Sequence, residues 1–359
     1  MSEEAPEAPA AEGPRPAWRQ LRIWLGLGIT VAAIAWTVRG VDFSLVVQSL
    51  RTARLFPLVF VAIAQVLGLW VRALRWRHMT DSLTDEPIPV VILYRATAVG
   101  FMAINLLPFR LGELVRPWFL SQEADIRGSA ALGTLVLERA IDFASIAMIS
   151  GGVLYFHSAG FPAWFRTGAI VFTVLSLAPF GLVVALRLDE ARTLQFLTLF
   201  VRPLPESVAS RALDLITEAC RGLGSLKGIR PPLMVAFYSA LLWLVIFASV
   251  FVFGFMAFDI HFPLGEEILA VYTLHVFTAL AAAAPSAPGF FGVFHFACRE
   301  ALGLFGISPD VAVAYGTLVH LGYWLPVTGA GLLVFLRSGM RLADLTSVQV
   351  GKGRSTAHR

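Results

Sequence analysis

The sequence predicts an all-α, polytopic membrane protein, a helix bundle of about 7–8 spans with two broken or re-entrant segments. Three observations predict it. The chain of 359 residues is 57% hydrophobic and only 14% charged, where a soluble domain carries about 25% charged residues. Long apolar runs recur along it, giving a mean hydropathy of +0.74. Two of those runs stop at dense Pro/Gly stretches instead of polar loops, at Pro108–Pro117 and Pro285–Gly292. The net charge of +4 is ordinary for such a protein, whose basic residues gather in cytoplasmic loops, and does not point to nucleic acid. Nine Trp and 28 Phe fit interfacial aromatic belts. Cys220 and Cys298 have no paired spacing, so neither a disulfide framework nor a metal site is implied.

Residues 1–17, rich in Ala, Pro and Glu, predict a disordered tail. Arg15, Arg19 and Arg22 come too late for a signal peptide, and no clean cleavage site follows. A single transmembrane domain is expected over 18–337. Its first span is 22–39, followed by an interfacial helix at 42–54 that mixes Asp42, Gln48, Arg51 and Arg54 with apolar residues. A second span, 55–74, ends in Arg72, Arg75, Arg77 and His78, which read as a cytoplasmic cluster. Apolar runs follow at 88–107, 130–157 and 167–187. A polar connection at 189–230 divides the chain into two unequal halves. The second half holds runs at 232–258, 264–284, 290–306 and 310–336, the last interrupted by Pro326. The tail 338–359 is basic. Basic clusters at both ends place both termini in the cytoplasm, against which Arg39, Arg51 and Arg54 fall on the outer side.

Three constellations carry the functional reading. Arg110, Glu113 and Arg116 are spaced by three, so a helix would align them as an alternating ladder on one face. Arginine presents a planar donor fork that matches phosphate oxygens, and Glu113 would hold one fork in place. Pro117 disfavours helix at Arg116, so the ladder is expected to straddle a break. Glu138, Arg139 and Asp142 share one helix face inside an apolar run, where charged groups must face a protein interior or a wet cavity. They read equally as a groove-lining charge network and as a structural ion pair that fixes helix packing. Pro285, Ser286, Pro288, Gly289, Gly292 and His295 form the second break. Broken segments at corresponding places in two halves point to a transporter binding site and allow an inverted repeat. Arg95, Asn105, Gln65, His275 and His320 are single polar residues in apolar runs, each more readily a packed, hydrogen-bonded group than a pathway residue.

These residues also carry a resemblance. Leu107–Leu120, Glu138-Arg139-x-x-Asp142, Pro285-Ser286-x-Pro288-Gly289-x-x-Gly292-x-Phe294 and Tyr323-Trp324-x-Pro326 resemble the lysylphosphatidylglycerol synthase transmembrane domain family, the flippase-like proteins. In its best-understood members, the resemblance implies, this domain moves an aminoacylated phospholipid between leaflets while a separate soluble domain makes that lipid. Nothing after residue 337 is long enough for such a soluble domain, so the chain is expected not to be the synthase. Members commonly carry an acidic residue after the Gly-x-Phe of the second break, where this chain has His295.

The expectation is a lipid flippase or scramblase of a bacterial or archaeal cytoplasmic membrane, not an enzyme and without a cofactor. Its partner would be an anionic or aminoacylated phospholipid or a polyprenyl-phosphate lipid, supplied by an envelope-lipid biosynthetic enzyme. The rival readings are a membrane-embedded transferase on a polyprenyl-phosphate donor and a small-solute transporter. The first lacks any Asp-x-Asp motif, and the second draws on the ion network as a proton carrier.

Overall fold

The computed structural model describes residues 17–81, 83–107, 112–124, 126–157, 161–201, 210 and 228–340. Residues 1–16 and 341–359 of the expected tails, and Arg110, lie outside them. Among the described residues there are 12 helices and no strands. They are α1 (Ala17–Val38), α2 (Phe43–Thr52), α3 (Phe56–Thr80), α4 (Val90–Leu106), α5 (Gly112–Glu123) and α6 (Gly128–His157). Then come α7 (Ala163–Leu188), α8 (Glu190–Val201), α9 (Arg230–Phe258), α10 (Leu264–Ala283), α11 (Val293–Gly303) and α12 (Pro309–Arg337).

By length and apolar character, α3, α9, α10, α12 and the Phe165–Leu186 part of α7 can each cross a membrane. Helices α1 and α2 meet at 85° and would add a sixth span if counted as one bent pair. The seven or eight apolar runs of the sequence also included α4 and α6. Helix α4 has 17 residues, about 25 Å at 1.5 Å per residue, short of a hydrocarbon core of roughly 30 Å. Helix α6 has the length, at 30 residues, but carries Glu138, Arg139 and Asp142 inside it. Large apolar side chains such as Met148, Tyr155, Phe156, Val174 and Leu175 are exposed on α6 and α7. A water-facing surface would not tolerate so broad an apolar patch, and lipid does.

Helix order and length repeat. In the first half α3, α4, α5 and α6 have 25, 17, 12 and 30 residues. In the second, α9 and α10 have 29 and 20, and α11 and α12 have 11 and 29. Each half is a long span, a broken hairpin and a second long helix. The packing is reciprocal too: α12 lies against α4, α6 lies against α10, and α3 packs on α9. One apolar core forms around Trp76, Met79, Leu93, Phe119 and Leu120 of α3, α4 and α5. The other forms around Phe251, Phe255, Leu274, Tyr315 and Val319 of α9, α10 and α12.

Candidate functional site

The first break builds a tight hairpin. Neither α4 nor α5 is long enough to cross alone, and α5 folds back on α4. Arg95 near the start of α4 pairs with Glu123 at the end of α5, Nη1 to Oε2 at 2.7 Å, which ties the open end. At the closed end a Cβ on Gly112 would run into the backbone at Ile104, Gly100 and Ala103. Only glycine permits that approach. Gly100 in turn leaves room for the Arg116 side chain, since a Cβ there would lie 2.7 Å from Arg116 Cβ. Helix α5 continues through Pro117. The expected break at Arg116-Pro117 is therefore corrected: Arg116 and Pro117 both lie within α5. Packing against α4 and α6 overrides the local preference of a residue before proline.

Arg116 points away from Glu113 and into the bundle, where it is 3% exposed. Its Nη1 donates to Glu138 Oε1 at 2.8 Å, and its guanidinium lies 3.9 Å over the Trp76 ring. The Trp76 indole is fixed by donating Nε1–H to Thr134 Oγ1 at 2.8 Å. Glu138 Oε1 is shared: Arg75 Nη2 approaches it at 3.2 Å and Arg139 Nη2 at 2.9 Å. Arg75 Nη1 donates to Asp142 Oδ1 at 2.7 Å and to Ser239 Oγ at 3.1 Å. Arg139 Nη2 reaches Asp142 Oδ2 at 2.9 Å, and Trp243 Nε1–H donates to Asp142 Oδ1 at 3.0 Å. Helices α3, α5, α6 and α9 thus converge on two carboxylates. Glu113 acts electrostatically on Arg139; of the two forks it was expected to serve, that of Arg116 is held by Glu138, and Arg110 lies outside the described residues.

A cavity of about 480 Å³ opens beside this network. Its charged wall is Arg72, Arg116, Arg139, Asp142 and Glu113; its apolar wall includes Leu132, Val136, Phe143, Ile146 and Phe172. Arg72 has no carboxylate within ion-pair distance among the described residues. Its guanidinium is instead sandwiched 4.3 Å from the Phe101 ring and 4.6 Å from the Phe247 ring. Four guanidiniums of this cluster, on Arg72, Arg75, Arg116 and Arg139, face the carboxylates of Glu138 and Asp142. Among the described residues, buried Nε and Nη2 of Arg116 and Nε of Arg75 have no acceptor, and Glu138 Oε2 has no donor. The arrangement holds surplus positive charge and surplus donors in an apolar setting, the chemistry of an anion receptor.

The second break lies across the same cavity and is neutral. Helix α10 stops at Ala283, a short turn at Pro288–Phe290 follows, and α11 starts at Val293. Gly289 and Gly292 take φ of 70° and 85°, the left-handed region that favours glycine. The break is anchored at both sides. Ala287 N–H donates to Thr30 Oγ1 of α1 at 2.8 Å, and His320 Nε2–H donates to the Gly289 carbonyl at 2.8 Å. His295 packs near His320, ring centroids 5.2 Å apart, with Phe291 and Phe294 alongside. Pro285, Ser286, Pro288, Gly289, Gly292 and His295 do not themselves line the cavity; the break presents Phe290 to it, and α10 presents Ala279, Ala282 and Ala283. Further along α11, Arg299 Nη1 donates to the Trp36 and Thr37 carbonyls at the end of α1. Glu300 accepts from Trp36 Nε1 at 2.9 Å.

Arg72, Arg75, Ser239 and Trp243 are site residues that sequence reasoning missed. Arg72 and Arg75 read as a cytoplasmic cluster because the apolar run thins after Leu74, but α3 continues to Thr80 and Arg75 is fully buried. Their spacing of three, with Ala73, Leu74 and Trp76 between and after, was the available signal. Of the single polar residues, Arg95, Asn105 and His320 have partners, Asn105 donating to Thr328 Oγ1 at 2.9 Å. Gln65 lines the cavity, and His275 lies beside it.

Comparison with curated proteins and with solved structures gives no match. The model of one family, described as the lysylphosphatidylglycerol synthase TM region, matches residues 23–331. That match takes in both hairpins, the ion network and most of α12, so the chain is an integral membrane protein that belongs to the lysylphosphatidylglycerol synthase transmembrane-region family.

Proposed function

We propose that this protein holds the phosphate of a membrane lipid in the cavity between its two hairpins and moves that lipid between leaflets, as a flippase or scramblase of a prokaryotic cytoplasmic membrane. The observation that carries the proposal is the charge balance. Four guanidiniums against Glu138 and Asp142 leave two positive charges, and Glu113 on the rim reduces the excess to one among the described residues. A phosphodiester carries one negative charge and would neutralise it. Net charge is costly at membrane depth, so an anionic occupant stabilises the site. Arg72 faces the cavity without a carboxylate partner among the described residues. Arg139, though bonded to both carboxylates through Nη2, is the most exposed of the paired arginines. Arg75 is committed to Glu138 and Asp142, and Arg116 to Glu138, which holds the wall in place. The apolar wall of α6 and α7 suits acyl chains that remain in the lipid while the headgroup is inside. Family membership supports a role in lipid handling. The reading involves no catalytic step and no cofactor, and a lipid-synthesising enzyme of the envelope would supply the cargo.

The test is leaflet exchange of fluorescent phosphatidylglycerol in proteoliposomes. Arg72→Gln removes the one guanidinium of the cluster without a carboxylate partner. It should lower the exchange rate at least about tenfold, a loss of roughly 1.4 kcal/mol in transition-state stabilisation, with the melting temperature little changed. An unaltered rate would remove the headgroup from this cavity.

A further inference from the structure

The cavity has a second lobe of about 200 Å³ that continues from the first and shares Gln65, Arg72, Trp243, Phe247, Phe290 and Tyr323 with it. The lobe has its own chemistry. No Asp or Glu lines it, and Arg72 stands at its junction with the main cavity. Gln65 of α3 and His275 of α10, 8% and 4% exposed, line it together with Thr278 and Tyr323. Neither the Gln65 nor the His275 side chain has a hydrogen-bond partner among the described residues; the Gln65 amide is open to the lobe, whereas His275 Nδ1 is sealed from it and the imidazole faces it with the rest of its ring. Aromatic faces surround them. The His275 ring lies 5.2 Å from Trp243 and 5.9 Å from Phe247 and Phe251, and Trp243 itself is held by Asp142.

The open Gln65 amide offers a donor and an acceptor that no protein group among the described residues uses, and the imidazole beside it adds a further polar edge, so an occupant that can hydrogen-bond is favoured over an apolar one. A mixture of donors, acceptors and ring faces suits a neutral, hydroxylated group: hydroxyls pair with Gln65 and His275, and C–H faces pack on the rings. A cationic group is disfavoured, because its ammonium would meet Arg72 and find no carboxylate in the lobe. The volume of about 200 Å³ is enough for a ring-sized substituent. Resting on the proposed phosphate site, we infer that the lobe is the subsite for the headgroup substituent. The cargo is then an anionic lipid whose phosphate bears a neutral polyhydroxylated ring, a glycosyl or cyclitol group, and not an aminoacyl group. The phosphate sits at Arg72 and the ring reaches toward His275.

The test uses the purified full-length protein in detergent and measures binding of three lipids by native mass spectrometry and by thermal shift. Phosphatidic acid offers the phosphate alone, phosphatidylinositol adds a neutral polyhydroxylated ring, and lysyl-phosphatidylglycerol adds a cation; the comparison is made at about pH 5, below the second phosphomonoester pKa of about 6, so that each phosphate carries one negative charge. Phosphatidylinositol should bind about tenfold more tightly than phosphatidic acid, since a site with buried polar groups rejects a ligand that leaves them unpaired. Lysyl-phosphatidylglycerol should bind no better than phosphatidic acid. Gln65→Leu and, independently, His275→Phe should each abolish the phosphatidylinositol advantage while phosphatidic acid binding persists. Equal binding of phosphatidylinositol and phosphatidic acid by the wild type, or preference for the lysyl lipid, overturns the subsite and leaves the phosphate site standing. Failure of all three lipids to bind overturns the phosphate site and the subsite together.

Discussion

The two hairpins occupy equivalent places in the helix order and do opposite things with charge. Where α5 meets α6, Arg116 is bound to Glu138 at 2.8 Å, and Arg75 and Arg139 crowd the same oxygen. Where α11 meets α12, the contact is His295 beside His320, centroids 5.2 Å apart, in a cage of Phe291, Phe294 and Tyr323. Each hairpin meets its long helix through a polar pair, ionic in one half and aromatic in the other. One architecture thus yields a charged wall and a neutral wall facing one cavity. A headgroup with a charged and an uncharged part needs such an asymmetry, which two identical walls would not provide.

The sharpest way to break this comparison is to remove the centre of the charged wall. Glu138→Ala leaves Arg75, Arg116 and Arg139 converging on an empty position, and repulsion replaces pairing. Stripping one partner from a buried ion pair costs about 3–5 kcal/mol, so the variant should lose most of its folded fraction in detergent, read by size-exclusion profile and thermal melt. A melt within a few degrees of wild type would mean that the network does not hold α3, α5 and α6 together.

Next in size is a contrast between two glycines, one from each break. Gly112→Ala sets a methyl against the α4 backbone at Ile104 and Gly100, which cannot move without separating the hairpin. A loss of about 3 kcal/mol, at the upper end of overpacking costs, is expected. Gly292→Ala meets the Ile34 side chain, with Cγ1 at 2.8 Å, and that chain can rotate aside. What remains is a 3.2 Å approach to the Thr30 carbonyl and the strain of a φ of 85°, together on the order of 2 kcal/mol. Chemical denaturation of the two variants should preserve that order. The reverse order would show that the second break is the more rigid of the two.

How far this was legible in the sequence follows the same divide. The helical class, the two breaks and the shared face of Glu138, Arg139 and Asp142 were readable, because hydropathy, Pro/Gly density and helical spacing are local. The partners of those charges were not. Arg75 and Glu138 are 63 positions apart in sequence, and nothing local distinguishes a basic residue that exits a span from one buried before its end. Arg110, Glu113 and Arg116 read as one ladder because they are three apart, yet Arg116 pairs with Glu138 of α6. The helix continues through Pro117 because tertiary packing outweighs a local preference. The neutrality of the second wall was visible in His295, but its partner His320 lies on another helix.

The smallest effect tests whether that neutral wall is held by a hydrogen bond or by packing. His320→Phe removes the Nε2–H that donates to the Gly289 carbonyl and keeps a flat ring among Phe291, Phe294 and Tyr323. A buried carbonyl that loses its donor costs about 1 kcal/mol where aromatic packing is retained. That cost should appear as a small drop in the denaturation midpoint. Because His320 does not line the cavity, binding of phosphatidic acid should be unchanged. The charged wall would respond differently, since any change in its pairing alters the field at Arg72. A His320→Phe variant that lost phosphatidic acid binding would show the second break to be coupled to the anion site, and the two walls would no longer be separable.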